Sequence, residues 1–111
     1  MSKTDSIPKV GQIVRILQGR EAGQFAVVIE NIDNRFVYLA DGDKRKYDRP
    51  KKKNVRHIEV TDYISEDVQS SLLNTGRVTN GKLRFTISKF VDMYESNLKK
   101  GDQQDGERRS N

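Results

Sequence analysis

The sequence predicts a mainly β fold: a small curled barrel of four or five strands followed by two C-terminal helices. Apolar, β-branched runs separated by glycine-bearing turns occupy the chain up to Val60. Beyond Ile64 the apolar spacing changes from alternation to the three-and-four pattern of helices. With 111 residues, 33% of them hydrophobic, the chain has material for one core.

The first two strands come from VGQIVRILQGREAGQFAVVIENI, where two apolar runs flank a short segment with glycines at both ends. Val14 and Ile16 share one face with Arg15 opposite, and Phe25, Val27 and Ile29 share a face of the second run. Ile13, Leu17 and Val28 point the other way, so both sides of the sheet are expected to be covered, as in a curled barrel. Asp33 and Asn34 favour a turn before the third strand, Phe36 to Ala40, and Asp41-Gly42 supplies the next one. Lys44 to Tyr47 is expected to form a fourth short strand. Pro50, which has no amide donor, should leave Arg49 to Asn54 as an exposed loop. His57 to Val60 resumes strand character. Ser65, followed by Glu66 and Asp67, reads as a helix N-cap with acids in the first turn. Val68, Leu72 and Leu73 form a short stripe ending at Gly76. A longer helix starts near Thr79 or Asn80 and aligns Leu83, Ile87, Phe90, Val91, Tyr94 and Leu98, with Lys99 and Lys100 near its end. That apolar face is expected to pack on the barrel; it is too short to argue for a coiled coil. The organisation is thus a flexible N-terminus over 1–8, a barrel over 9–63, a helical appendage over 64–100 and a disordered tail over 101–111, which holds no aliphatic or aromatic residue.

Charge is concentrated in one place. DKRKYDRPKKKNVRH, Asp43 to His57, holds eight basic and two acidic side chains, a net +6; against +5 for the whole chain, everything else sums to −1. One basic segment on a near-neutral body points to a polyanionic partner. Lys44, Arg45, Lys46, Arg49, Lys51, Lys52, Lys53 and Arg56 can displace counterions from phosphates, and Tyr47 among them could stack on an unpaired base. A solvated loop with Tyr47 packed on the barrel, or a nuclear localisation signal over Pro50 to Lys53, would carry the same composition. Arg77 and Lys82, at the start of the second helix, could add a phosphate contact; ordinary capping by Thr79 or Asn80 explains that segment equally.

Val10-Gly11, then IVRIL, then Gly19-Arg20-Glu21-Ala22-Gly23-Gln24, then AVVI resembles the KOW motif, an RNA-associated element of ribosomal proteins and transcription elongation factors. Gly23 matches the glycine that marks the motif. The order of later elements, FVYLADG, the basic segment, a strand, Thr61 to Ile64 and then helices, is similar to the KOW-type large-subunit ribosomal protein of archaea and eukaryotes. It is more similar still to short bacterial KOW-domain RNA-binding proteins, and the likeness runs over about residues 9 to 100. The resemblance implies an SH3-like (KOW) barrel and RNA binding, often on the ribosome, with Arg15, Gly19, Arg20, Gly23 and Gln24 joining the basic segment as contacts. The chain departs from the ribosomal protein in having no long basic C-terminal extension.

Few residues here suit catalysis. His57 is the single histidine and cysteine is absent, which excludes disulfides, thiolate zinc sites and cysteine nucleophiles. The acid pairs sit where turns and N-caps want them. No metal, no cofactor and no enzymatic activity are expected. The expected partner is RNA, ribosomal RNA foremost, together with ribosomal proteins, bound by a monomer in the cytoplasm with no membrane segment. RNA is favoured over DNA because no basic, exposed recognition helix is apparent. The alternative is a protein-interaction adaptor using the barrel or the second helix.

Overall fold

The computed structural model describes residues 7–103, with side chains described as far as Ser96 in the last helix. Most of the expected N-terminal and C-terminal unstructured segments, and the side chains of Leu98, Lys99 and Lys100, lie outside the described residues. The elements are β1 (Gln12–Ile16), β2 (Phe25–Asn31), β3 (Phe36–Ala40), β4 (Lys51–Asn54), a 3-10 helix (Val55–His57), β5 (Ile58–Ile64), α1 (Glu66–Thr75) and α2 (Asn80–Gln103).

The strands form one antiparallel sheet in the order β4-β3-β2-β1-β5. Its two edge strands are joined by only the three residues of the 3-10 helix. Four strand spacings of about 4.8 Å would separate those edges by about 19 Å in a flat sheet. Three linking residues reach at most about 14 Å even when extended, and less in a 3-10 conformation. The sheet therefore has to curl, as an SH3-like barrel does, and register shifts between Val28 and Glu30 and between Gln12 and Val14 help it bend.

Curling gives the sheet an inside and an outside, and apolar residues fill both. Val14, Ile16, Ala26, Val28, Val37, Leu39 and Ile58 pack inside the curl. Ile13, Val27, Ile29 and Ala40 on the outer face meet Val68 of α1, Val78, and Leu83 and Phe90 of α2. The alternation read from the sequence thus has a partner on each side. Phe25 meets Phe90 edge-on at 5.1 Å and Tyr94 at 5.6 Å, so the described apolar stripe of α2 lies on its own barrel. In α1, Ser65 accepts from the Val68 amide at 3.2 Å, and Gly76 ends the helix at φ 77°.

The structure corrects three local expectations. Lys44 to Tyr47 is a turn, not a strand: Asp41 Oδ1 accepts from the amides of Asp43 and Arg45 at 2.8 and 2.9 Å. The Arg45 carbonyl in turn accepts from Asp41 and Gly42, so these backbone groups are used locally and cannot join a ladder. Conversely Lys51 to Asn54, expected to be a loop, is the edge strand β4, paired Val37 to Lys53 and Leu39 to Lys51. Pro50 stands immediately before this edge strand, one of the few places where a missing amide costs nothing. Finally, Leu72 packs against the core but Leu73 is 73% exposed, because the four-residue step from Val68 aligns only the former.

Leu83 is fully buried between α2 and the sheet, so Leu83→Ala should lower unfolding free energy by about 2–5 kcal/mol in urea titration. Leu73→Ala should change it by less than about 0.5 kcal/mol in the same measurement.

Candidate functional site

The loop between β1 and β2 is held by its own backbone. Ile16 exchanges hydrogen bonds with the far side, its amide donating to the Gln24 carbonyl at 2.8 Å and its carbonyl accepting from Gly23 at 2.7 Å. Closing the loop this way puts Gly19 at φ 100° and Gly23 at φ 92°, in the left-handed region where a side chain is strained. No atom lies within 4 Å of where a Cβ on Gly23 would stand, so the glycine serves backbone conformation and leaves open surface above it.

Two contacts tie the basic segment to this loop. Lys53 of β4 donates from Nζ to the Gln18 carbonyl at 2.8 Å, and its ammonium crowds the Gly19 backbone. Arg45 donates from Nε to Glu21 Oε2 at 3.3 Å. A third approach comes from the 3-10 helix, where Asn54 Oδ1 accepts from the Arg56 amide at 2.8 Å and the His57 carbonyl accepts from Leu17 at 2.9 Å. Arg56 is thereby held, exposed, beside the foot of the loop. The 3-10 helix is braced from the other side by the Val55 amide donating to the Arg35 carbonyl at 2.8 Å.

Strand register sorts the three lysines. Lys51 and Lys53 stand opposite Leu39 and Val37 and share their face of the sheet, each partly buried. Lys52, opposite Tyr38, lies on the other face with its Nζ 4.6 Å from the centre of the Phe36 ring. The structure therefore gathers Gly19, Arg20, Gly23, Arg45, Lys53 and Arg56 around the loop, with Lys51 on the same face of β4 as Lys53. Lys44 and Gln24 are nearby, lining an open cleft with Asp41 and Arg84. Lys46 and Arg49 are exposed in the segment that leads into β4.

Four residues stand apart. Arg15 shares the outer face of β1 with Ile13 and pairs with Glu59 at 3.8 Å. Lys82 pairs with Asp67 of α1 at 3.6 Å, and its amide donates to Thr79 Oγ1 at 3.1 Å in ordinary capping. Arg77 lies in the α1–α2 connection, where its carbonyl accepts from Ser71. Of the two readings of Tyr47, base stacking and packing on the barrel, the structure shows the second: its ring packs against the helix-side core, its hydroxyl donates to the Gly76 carbonyl at 2.6 Å, and its amide donates to Asn80 Oδ1 at 2.6 Å. An amphipathic ring next to a helix end with a free carbonyl satisfies both of its halves there. Gln18 and Glu21 are participants that sequence patterning did not mark, since one contributes only a backbone carbonyl and the other is a single acid among bases.

Asp33 shapes the β2–β3 turn that carries Arg35. Its Oδ1 accepts from the amides of Arg35 and Phe36 at 2.7 and 3.0 Å. The Arg35 amide chiefly, with the Phe36 amide and nearby cations, holds its carboxyl below the usual carboxylate range. Among the described residues no group of three His, Cys, Asp or Glu is arranged for a metal ion, and no helix is long and apolar enough to cross a membrane.

Residues 10–39, which hold β1, the glycine-bearing loop and β2, match the KOW motif. The chain thus carries a KOW motif spanning β1 to β3. It is 52% identical over 44 residues to the putative ribosome-binding protein YbzG of Bacillus subtilis, covering 40% of this chain and 60% of that one. It is 37% identical over 61 residues to the large ribosomal subunit protein eL14 of Metallosphaera sedula, covering 55% and 64%. Against the eL14 protein of Pyrobaculum neutrophilum the identity is 40% over 53 residues, covering 48% and 52%. The chain spans less than two thirds of the length of each of these curated relatives.

Because the folded pKa of Asp33 lies below its unfolded value, its contribution is fully present above the unfolded pKa and disappears as pH falls through the folded one. Acid titration should accordingly lower the protection factors of the Arg35 and Phe36 amides, with exchange measured against the intrinsic rate at each pH, and Asp33→Asn should remove that pH dependence. At the loop, Gly23→Val should destabilise the fold by about 1–2 kcal/mol through its left-handed backbone alone, measured by thermal unfolding.

Proposed function

We propose that this protein is a non-catalytic RNA-binding module that associates with the ribosome, in the cytoplasm, and contacts ribosomal RNA through its phosphates. The observation that carries the proposal is the joining of the β1–β2 loop to the basic segment through Lys53 to Gln18 and Arg45 to Glu21. These contacts turn two separate stretches of sequence into one cationic surface around Gly19 and Gly23. The relatives support the same reading, since their names describe ribosomal or ribosome-binding proteins. Arg20, Lys51, Lys53 and Arg56 act as phosphate contacts, Arg45 places the loop through Glu21, and the glycines let an RNA backbone approach closely. Few amide side chains stand among these cations, which favours recognition of RNA shape over base sequence. Leu83 and Phe90 of α2 are buried against its own barrel, which leaves that helix less apolar surface for docking a protein.

Binding to ribosomal particles should be released by salt. With about 6 phosphate contacts, affinity should fall by about three decades between 50 and 200 mM monovalent salt. Cosedimentation across a salt series measures this, and salt-insensitive binding would overturn the proposal. Lys51→Glu, Lys52→Glu and Lys53→Glu together should abolish cosedimentation while leaving the circular dichroism spectrum unchanged.

A further inference from the structure

The basic strand is followed directly by its electrostatic opposite. Residues 43–57 hold eight basic and two acidic side chains, whereas residues 58–76 hold four acidic side chains, Glu59, Asp62, Glu66 and Asp67, and no basic one. In the fold this change of sign maps onto the two edges of the sheet, basic β4 at one and acidic β5 at the other. Of the four acids, Glu59 is paired with Arg15 and Asp67 with Lys82, both at partly exposed sites; Asp62 and Glu66 have no ion-pair partner among the described residues.

Strand β5 is seven residues long and has β1 on one side only. The Leu17 amide bonds to the His57 carbonyl, and pairing alternates from there, so Val60, opposite Val14, directs its backbone groups away from β1. The Thr61 carbonyl accepts from Gln12 Nε2 at 2.7 Å and so faces β1, which turns the Asp62 backbone outward as well. Val60 is 42% exposed, and at the end of the strand Phe85 of α2 stands 65% exposed at the mouth of a crevice lined by Ile64 and Glu66. An open strand edge with exposed apolar residues is normally guarded against association; here Asp62 and Glu66 stand along it unpaired among the described residues, with one cation, Lys89, in the wall of the crevice and a register shift opposite Gln12 to Val14.

We infer that the outer edge of β5 is a docking site for a basic, extended protein segment. The segment adds a strand alongside Val60 and Asp62, places cations against Asp62 and Glu66, and lays an apolar side chain on Phe85. The charge selects the occupant: the RNA that suits β4 is repelled by the unpaired carboxylates of Asp62 and Glu66, and a second β5 would bring its own acids against these. The inference stands apart from the RNA reading, because the two surfaces use different strands and opposite charge.

The probe is a fluorescein-labelled peptide of alternating lysine with valine and threonine, tested beside its glutamate counterpart on the full chain without RNA. Anisotropy should show saturable binding of the basic peptide and none of the acidic one. Asp62→Lys should weaken binding at least about tenfold through like-charge repulsion. The Lys51→Glu, Lys52→Glu, Lys53→Glu variant should retain it. Amide exchange should slow at Val60 and Asp62 on peptide addition, the mark of strand pairing that loose charge attraction does not leave. No binding, binding indifferent to Asp62→Lys, or binding without protection at those two amides would each overturn the inference. Concentration-dependent self-association that Asp62→Lys abolishes would overturn it too, assigning the edge to β4 of a second copy.

Discussion

Burial of β2 on both faces is the constraint on which the rest of this molecule depends. Ala26, Val27, Val28 and Ile29 are all buried, alternately toward the curl's interior and toward the helices. A strand with two apolar faces has to be enclosed twice. Curling of the sheet encloses one face, and α1 and α2 cover the other. The short 3-10 link between the edges makes the curl possible, and Gly42 makes the second enclosure close: a Cβ there would overlap the Asn80 carbonyl at the start of α2. The helical appendage is therefore the outer wall of the same core.

Once β2 and its neighbours take the interior, charge is left to the periphery, and topology decides where. The strands that close the ends of the sheet, β4 and β5, are the ones with the least apolar content to offer, and each carries one sign of charge. At the basic end, charge is organised by contacts that are modest singly. Lys53 reaches the β1–β2 loop through a hydrogen bond to a backbone carbonyl and Arg45 through a partly exposed ion pair, which contributes less than about 1 kcal/mol. Their effect is on position, since they hold cations beside a loop whose glycines keep the backbone accessible. Asp33 works in the same manner one turn away, ordering the amides of Arg35 and Phe36 so that Arg35 can brace the 3-10 helix.

The elements most legible in the sequence were those whose information is local. The β1–β2 hairpin, β3, the Ser65 cap and the stripe of α2 each follow from periodicity or capping within a dozen or so neighbouring residues. The fourth strand was misplaced because its determinants are not local. Lys51 to Asn54 has a composition that argues for solvent, and it is a strand only because β3 offers an unpaired edge beside it. Lys44 to Tyr47 looks extended, yet the Arg45 amide is taken by the Asp41 carboxylate and the Tyr47 amide by Asn80 Oδ1. Tyr47 is open between two roles in the sequence for a related reason: its partner, the Gly76 carbonyl, is remote in sequence and appears only when α1 ends beside it.

The sequence by itself determined the fold class, the single core, the concentration of positive charge and the glycine positions of the β1–β2 loop, because alternation, helical spacing and left-handed turns are written in neighbouring residues. Tertiary structure alone decided which cations form one surface. Lys53 and Arg45 join the loop while Arg15 and Lys82 are paired elsewhere, a division set by strand register and by which face each side chain occupies. It also decided that β5, unremarkable as a strand in sequence, is an open edge, because only the order of strands in the sheet says which one has no second neighbour.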